Sequence, residues 1–257
     1  MGDFLRSVGE LARGFSAPSV VPVARDDSLK IGAPVMGPLG RFFGSLGRHR
    51  ELVMLHLTIP ADLIRSVKDA VESGSGGGGR RCTVFEAVTA VLWKCRTRAT
   101  MSDDLDATTG LSFSVDTRSY VGATRGYYRN CTLVQLALAK CAAVVNGNIM
   151  DLVKLIQHAK DEIPRSMQMH DLELEQRKLL SYNVCGVTYW PNLGFRDADF
   201  GAGKPATVLS YRHDREALPA NIVTSSGKDG GWNVMSLSVT EEHAQTFLHE
   251  LANFTAS

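Results

Sequence analysis

One stretch of the sequence combines an acid, two glycines and a lysine, and it runs Asp199-Phe200-Gly201-Ala202-Gly203-Lys204-Pro205. Glycines on either side of a small residue allow a tight turn and a close approach of the backbone to another group. The carboxylate of Asp199 can cap the N–H groups of such a turn or pair with an arginine. Taken alone, the pattern is as typical of an ordinary loop as of a functional site.

Histidine is the side chain used most often as a general base. The sequence has seven, namely His49, His56, His158, His170, His213, His243 and His249. None has an aspartate four residues later, and His158 has Glu162 there, which fits a surface pair on one face of a helix. His243 and His249 are six residues apart, a spacing that does not place both on one helix face, so we predict no metal site.

Two further catalytic signatures are missing from the sequence. The glycine run at 76–79 continues into Arg80 and Arg81 and lacks the Gly-Lys-Ser/Thr end of a phosphate-binding loop. There is also no Gly-x-Ser-x-Gly turn of the kind that presents a nucleophilic serine.

The composition is that of an ordinary globular protein. The chain has 257 residues, a formal net charge of +1, 44% hydrophobic residues and 21% charged residues. The balanced charge gives no reason to expect a nucleic acid or an acidic membrane as a partner. Five cysteines at wide spacings, with no CxxC pair, indicate reduced thiols. Because we find no bilayer-spanning run and no signal core, we expect a cytoplasmic protein.

Hydrophobic periodicity divides the chain into strands and helices that alternate unevenly. Strands are predicted at 51–58, 111–118, 131–140, 182–189, 206–212, 221–226 and 232–239. Helices are predicted at 2–13, 60–71, 83–98, 148–162 and 240–254. A second helical stretch is predicted after residue 162 and runs to about residue 180. This order predicts an α/β fold with a mixed sheet flanked by helices.

Five stretches, in this order, resemble motifs of the plant BAHD acyl-CoA-dependent acyltransferases. They are Thr83-Val84-Phe85-Glu86 with Trp93 and Arg96, Val115-Asp116-Thr117-Arg118, Gly126-Tyr127-Tyr128-Arg129-Asn130, Thr188-Tyr189-Trp190, and the Asp199–Lys204 stretch, which resembles the family's Asp-Phe-Gly-Trp-Gly motif. Residues 2–14 resemble the helix that follows the family's His-x-x-x-Asp motif.

The resemblance implies one chloramphenicol-acetyltransferase-like domain of a fold that normally has two. Residues 1–13 would be a residual helix of the N-terminal domain, 14–50 a crossover segment, and 51–257 the C-terminal acyltransferase domain. The catalytic histidine would then be expected upstream of Met1. The intact protein would be a monomer, and an uncovered domain face in this chain would favour association.

The resemblance also implies roles for individual residues. Asp199 would be structural and would pair with Arg118. Thr188 and Trp190 would face the reacting centre, where a hydroxyl and an indole N–H can hydrogen-bond developing negative charge. Thr83, Arg80 and Arg81 would lie near coenzyme A, although a solvated loop end is the favoured explanation of the two arginines.

Two positions depart from the family pattern: Ala202 replaces a tryptophan and Arg129 replaces a glycine. The implied function is transfer of an acyl group from acyl-CoA, as co-substrate, to the hydroxyl or amine of a plant specialised metabolite, with no permanently bound cofactor. The alternative is a non-catalytic remnant that binds coenzyme A or a partner protein.

Overall fold

The computed structural model describes residues 2–24, 26, 50–74, 80–101, 103–167, 182–210, 219–225 and 230–256. Several sequence predictions lie outside these ranges: most of the crossover at 14–50, the glycine loop at 75–79 and the continuation of a helix toward residue 180.

Six strands form one mixed sheet in the order β1-β6-β5-β4-β2-β3. They are β1 Leu55–Pro60, β2 Thr108–Asp116, β3 Thr132–Lys140, β4 Val184–Tyr189, β5 Ala220–Ser225 and β6 Gly231–Leu237. β4 runs parallel to β2 and β5, and the other neighbouring strands are antiparallel. The predicted mixed sheet is confirmed, but the described part of the strand predicted at 206–212 is irregular backbone.

Helices flank this sheet, as the sequence predicts. They are α1 Gly2–Ala12, α2 Ala61–Gly74, α3 Val84–Met101, α4 Arg118–Val121, α5 Cys141–Asn146, α6 Ile149–Asp161, α7 Ile163–Ser166 and α8 Glu241–Ala256. Pro60, which we expected in the first turn of a helix, instead ends β1 opposite Gly231. A proline is tolerated there because β1 lies at the edge of the sheet.

The central element is α3, which contacts α2, α5, α6, α8 and the sheet. Periodicity predicts a single buried stripe on this helix, yet α3 is buried on nearly every side. Trp93 and Arg96 are both fully buried, and the Trp93 indole N–H donates to the Thr109 hydroxyl at 3.3 Å. The stripe was too narrow a prediction because helices also cover the side of α3 that faces away from the sheet.

The two faces of the sheet differ in what they contact. Alternate residues of each strand point to one face, and Leu57, Leu111, Phe113, Val187, Val223 and Val234 belong to the helix-covered core. The strand register places the next residues on the opposite face, which we call the distal face. One row across it runs His56, Met235, Ile222, Thr188.

The helix predicted at 2–13 is confirmed as α1. Its apolar residues recur at helical spacing, but they do not form its buried side. Phe4, Val8 and Leu11 are 49%, 38% and 50% exposed, whereas Gly2, Ser7, Gly9 and Glu10 are buried. The small and polar side of α1 is the one that contacts the described part of the chain.

All five cysteines are free and buried, in agreement with the prediction of reduced thiols. Among the described helices, none has the length and apolar character needed to cross a membrane.

Candidate functional site

Thr188 and Trp190 lie together at the C-terminal end of β4. Thr188 is half-buried on the distal face, beside Ile222 of β5. Trp190 follows the strand, and its backbone N–H donates to the carbonyl of Val223 at 2.9 Å. Its ring lies against that of Phe195, with the centroids 5.3 Å apart. β4 is an inner strand of the sheet, and both predicted residues lie at its C-terminal end.

A cavity of about 250 Å³ opens on the distal face next to this strand end. Its walls include His56, Thr58, Leu209, Ser210, Ile222, Thr224, Asn233 and Met235. Ile222 connects the cavity to Thr188, because the two residues are register neighbours. The Thr58 hydroxyl donates to the Asn233 side-chain oxygen at 3.3 Å, so one wall is polar while Ile222 and Met235 are apolar. Sequence reasoning missed this cavity, although the polar residues that alternate in β1 and β6 were a usable signal.

The predicted pair between Asp199 and Arg118 is wrong. One oxygen of Asp199 accepts the N–H groups of Gly201 at 2.8 Å and Gly203 at 3.0 Å, and the other lies 3.2 Å from Nη1 of Arg13. The hydrogen bonds from Gly201 and Gly203, with the charge of Arg13, hold the pKa of Asp199 below its usual value although desolvation opposes them. The turn needs both glycines, because their φ angles are 109° and 94°.

Arg118 is held by partners close to it in sequence. Its Nη1 lies 3.0 Å from the Asp116 carboxylate, and its remaining donors reach the carbonyls of Tyr127 and Arg129. The guanidinium therefore ties the end of β2 to the turn before β3. Arg118 does not reach Asp199 because these three nearby acceptors already hold its guanidinium.

The rest of the Asp199 stretch is largely exposed. Phe200 has 54% of its surface exposed, and Gly201, Ala202, Gly203 and Lys204 are exposed as well. The Lys204 ammonium lies 3.4 Å from the Asp197 carboxylate. With alanine at position 202, this loop places no indole against the fold.

The residues predicted near coenzyme A meet at the start of α3. The Thr83 hydroxyl accepts the Glu86 N–H at 3.3 Å and the Glu86 carboxylate accepts the Thr83 N–H at 2.9 Å, so the Thr83-Val84-Phe85-Glu86 stretch forms a capping box. Arg80 pairs with Asp161 at 2.6 Å, and Arg81 is exposed. The helix terminus thus already contains a carboxylate, and the charge of Arg80 is partly neutralised.

Glu86 is fully buried beneath this terminus. Its carboxylate accepts from Lys160 at 2.6 Å and from Gln157 at 3.1 Å. Burial acts to raise the pKa of Glu86, but the hydrogen bonds from Lys160, Thr83 and Gln157 outweigh it and hold the pKa below its usual value. Glu86 therefore carries its charge inside the fold and joins α3 to α6.

The described histidines do not place a base beside Thr188 and Trp190. His56 lies in the same distal-face row as Thr188, but three strand spacings separate them, which is roughly 14 Å. Direct proton transfer needs about 2.6–3.2 Å between heavy atoms. His243 contacts Tyr182 and Thr240 at the start of α8. The predicted pair of His158 with Glu162 is wrong, since the Glu162 carboxylate contacts Arg165 at 3.4 Å.

In the described ranges, no group of three or more histidine, cysteine, aspartate or glutamate side chains is arranged to hold a metal ion.

The model of the transferase family matches residues 1–253. The chain belongs to this family. Acyl transferase 15 of Oryza sativa subsp. japonica is 37% identical over all of this chain and 60% of its own length. The 3'-N-debenzoyl-2'-deoxytaxol N-benzoyltransferase of Taxus canadensis is 27% identical over 84% of this chain and 50% of its own length. The chain thus spans 60% and 50% of the length of these two relatives.

Solved structures agree on the fold of this family member. Vinorine synthase superposes with a TM-score of 0.70 at 16% identity, over 98% of this chain and 58% of that one. F. sporotrichioides TRI101, complexed with coenzyme A and T-2, superposes with a TM-score of 0.68 at 16% identity, over 95% of this chain and 60% of that one. The fold predicted from sequence, an acyltransferase-type mixed sheet flanked by helices, is confirmed.

Proposed function

We propose that this chain forms the C-terminal part of an acyltransferase that moves an acyl group from acyl-CoA to the hydroxyl or amine of a plant metabolite. Family membership supports the reaction class, and the names of relatives such as the N-benzoyltransferase support an acyl transfer. One observation supports a location for the proposed site. Thr188 and Trp190 lie at the end of β4, beside the distal-face cavity.

The proposed reaction needs a base that removes the proton from the acceptor hydroxyl or amine. The acceptor atom then attacks the thioester carbonyl to form a tetrahedral intermediate. The carbonyl oxygen becomes negative in this intermediate, and the Thr188 hydroxyl and the Trp190 indole N–H are proposed to donate hydrogen bonds to it. Collapse of the tetrahedral intermediate breaks the carbon–sulfur bond, and coenzyme A leaves as the thiol after taking up the proton. No acyl group becomes attached to the protein.

The base is proposed to be the histidine of a His-x-x-x-Asp motif in the segment that precedes α1. This proposal is geometrically consistent, because a side chain at Gly2 would lie 1.7 Å from the Leu193 carbonyl, so α1 begins directly beside the turn that follows Trp190. We also propose that residues 51–257 are the C-terminal acyltransferase domain, that residues 14–50 are a crossover segment, and that residues 1–13 are a helix of the N-terminal domain. The basis is the same resemblance to the family.

Ligand placement follows from the cavity and from the start of α3. We assign acyl or acceptor groups without charge to the distal-face cavity, because the described residues that line it include no acid, lysine or arginine. Coenzyme A is proposed to approach Thr83, Arg80 and Arg81, in line with neighbours that bind coenzyme A. Acyl-CoA is a co-substrate in this scheme.

A second candidate function is binding without catalysis. Two observations favour it. None of the seven histidines in this sequence has an aspartate four residues later, and His56 is too far from Thr188 for direct proton transfer. In this role the chain would bind coenzyme A or a partner protein. Loss of a general base typically lowers a rate by about 10²–10⁴-fold.

One assay separates the two functions. The purified chain, and a version extended at its N-terminus by the matching segment of rice acyl transferase 15, are incubated with acetyl-CoA, benzoyl-CoA or hydroxycinnamoyl-CoA and a panel of alcohols and amines. Release of the coenzyme A thiol by the extended version, and its loss in a version without the added histidine, would support the acyltransferase. Calorimetric binding of coenzyme A with no turnover by either version would support the binding function.

A further inference from the structure

Two ion pairs join α1 to the segment that follows Trp190. Arg6 lies 2.8 Å from the Asp197 carboxylate, and Arg13 lies 3.2 Å from the Asp199 carboxylate. The two arginines are seven residues apart, which is nearly two helical turns and about 10.5 Å along the axis. Arg13 is the first residue after α1, and its N–H donates to the Gly9 carbonyl at 3.1 Å, so it continues the helical path. The two arginines therefore extend from about the same side and contact the segment at two separate points.

The backbone of α1 also contacts the same segment. A side chain at Gly2 would lie 1.7 Å from the Leu193 carbonyl oxygen, and one at Gly9 would lie 2.3 Å from the carbonyl oxygen of Asp199. These glycines are also seven residues apart, so they lie on one side of the helix. The helix and the segment are thus in backbone contact, and the ion pairs act on surfaces that already fit.

The segment is also anchored on β5 of the sheet. Its first residue, Trp190, donates its backbone N–H to the carbonyl of Val223, and Nη1 of Arg196 donates to the Ser225 hydroxyl at 3.3 Å. The Trp190 ring contacts the Phe195 ring, which stands at the start of the short 3₁₀ turn Phe195–Asp197. Asp197 of that turn is the partner of Arg6. A displacement of Asp197 would therefore reach the indole through Phe195.

We infer that Arg6 and Arg13 are positioning residues, which hold the indole of Trp190 at the end of β4 by fastening the 190–199 segment to α1. The inference rests on the proposed function, in which Trp190 faces the reacting centre and the base precedes α1. The same contacts then set the distance between these two groups, because α1 begins against Leu193. Neither arginine touches the reacting atoms.

The expected effect is local. Both pairs are partly exposed, with side-chain exposures of 32% and 45% for Arg6 and Asp197, and of 33% and 24% for Arg13 and Asp199. Pairs of this kind contribute little to global stability. Loss of both should raise the population in which the segment has left α1 by about fivefold. Lys204 also contacts Asp197, so the change at Arg6 alone should be the smaller one.

Fluorine NMR of the full chain labelled with 5-fluorotryptophan tests this inference. The chain has three tryptophans, so three resonances are expected, and single Trp→Phe variants assign them. The variants are Arg6→Gln, Arg13→Gln, both together, and Arg13→Lys as the conservative change. Arg65→Gln is the matched control, because Arg65 forms an exposed pair with Asp62 at 2.8 Å on α2.

We expect the double variant to shift or broaden the Trp190 resonance while the Trp93 and Trp232 resonances stay in place. Arg13→Lys should restore the Trp190 signal, and Arg65→Gln should leave all three unchanged. An unmoved Trp190 resonance in the double variant would overturn the inference. So would a displacement of all three resonances, because that result indicates a purely structural role in the whole fold. The measurement does not require turnover, so it stays decisive even where no acyl transfer is found.

Discussion

Lys160→Met tests the buried charge that joins α3 to α6. The Lys160 ammonium lies 2.6 Å from the carboxylate of Glu86, whose side chain is 0% exposed. Methionine keeps most of the apolar stem of the lysine and removes its charge. Glu86 then retains its hydrogen bonds from Thr83 and Gln157 but lacks its nearest cation. Arg80 is the next cation, 4.0 Å away, and it is shared with Asp161.

The expected loss is large at neutral pH. Removal of one partner of a buried ion pair costs about 3–5 kcal/mol because an uncompensated charge stays inside the protein. For a chain of this size, about 2–4 °C per kcal/mol makes this a decrease of roughly 6–20 °C in the melting temperature. The matched control is Lys154→Met, in which the lysine is 65% exposed on the same helix and 3.9 Å from Asp151. That variant should lose less than about 0.5 kcal/mol.

The pH dependence should change sign in the variant. In the native chain the pKa of Glu86 is lowered, so this group contributes stability above the unfolded pKa of about 4.3 and loses it as the pH falls through the folded pKa. Without Lys160, burial raises the pKa of Glu86 above the unfolded value. The contribution of Glu86 to the free energy of unfolding then falls as the pH rises from the unfolded to the folded pKa.

Urea unfolding followed by circular dichroism at pH 4, 5.5 and 7 measures these effects. Lys160→Met should lose least at pH 4, and the double variant Lys160→Met/Glu86→Gln should recover most of the stability at pH 7. A loss below about 1 kcal/mol at pH 7 would match an exposed pair and refute the argument from burial. A loss of equal size at all three pH values would show that the charge of Glu86 is not its cause.

Three other outcomes are expected. In a histidine-bearing extended version, Thr188→Val should lower kcat by about 10²–10³-fold if its hydroxyl stabilises the oxyanion; steady-state release of coenzyme A measures this, and an unchanged kcat excludes the role. Gly203→Ala should destabilise by about 1–3 kcal/mol in urea unfolding, because φ is +94° while a side chain there meets no atom within 4 Å; a neutral result would mean that the turn relaxes freely. Asn148→Ala should cost about 0.5–2 kcal/mol, because its side chain caps α6 by accepting from Met150; Asn148→Ser should recover most of that loss.

Local patterns predicted the elements well where a helix or strand makes its own contacts. The period of β3 and β4, the cap of α3 at Thr83 and the bounds of α6 agree with the structure to within a few residues. The strand predicted at 206–212 was wrong in its described part, because alternating residues there do not pair with a neighbouring strand. Strand pairing is a property of two segments, and a pattern within one segment cannot establish it.

The candidate site shows the same division. Motif order identified Thr188, Trp190 and Asp199 as candidates. The turn at Asp199 is formed by neighbours in sequence, whereas the strand end that carries Thr188 and Trp190 is held by pairing with β5. The partner of Asp199 was wrong, because Arg118 has acceptors closer to it while α1 brings Arg13 to the carboxylate. The cavity on the distal face combines residues from β1, β5 and β6, so no single stretch of sequence describes it.

The amino-acid sequence by itself determined the local caps, which depend on spacing over a few residues. It also determined the α/β class and the family, which depend on the order of elements and motifs along the chain. Only the tertiary structure decided which side of α1 is buried and which arginine meets Asp199. It also decided that Lys160 compensates the buried charge of Glu86. The two ion pairs join residues that are 74 and 186 positions apart, and chain geometry rather than periodicity brings such residues within hydrogen-bonding distance.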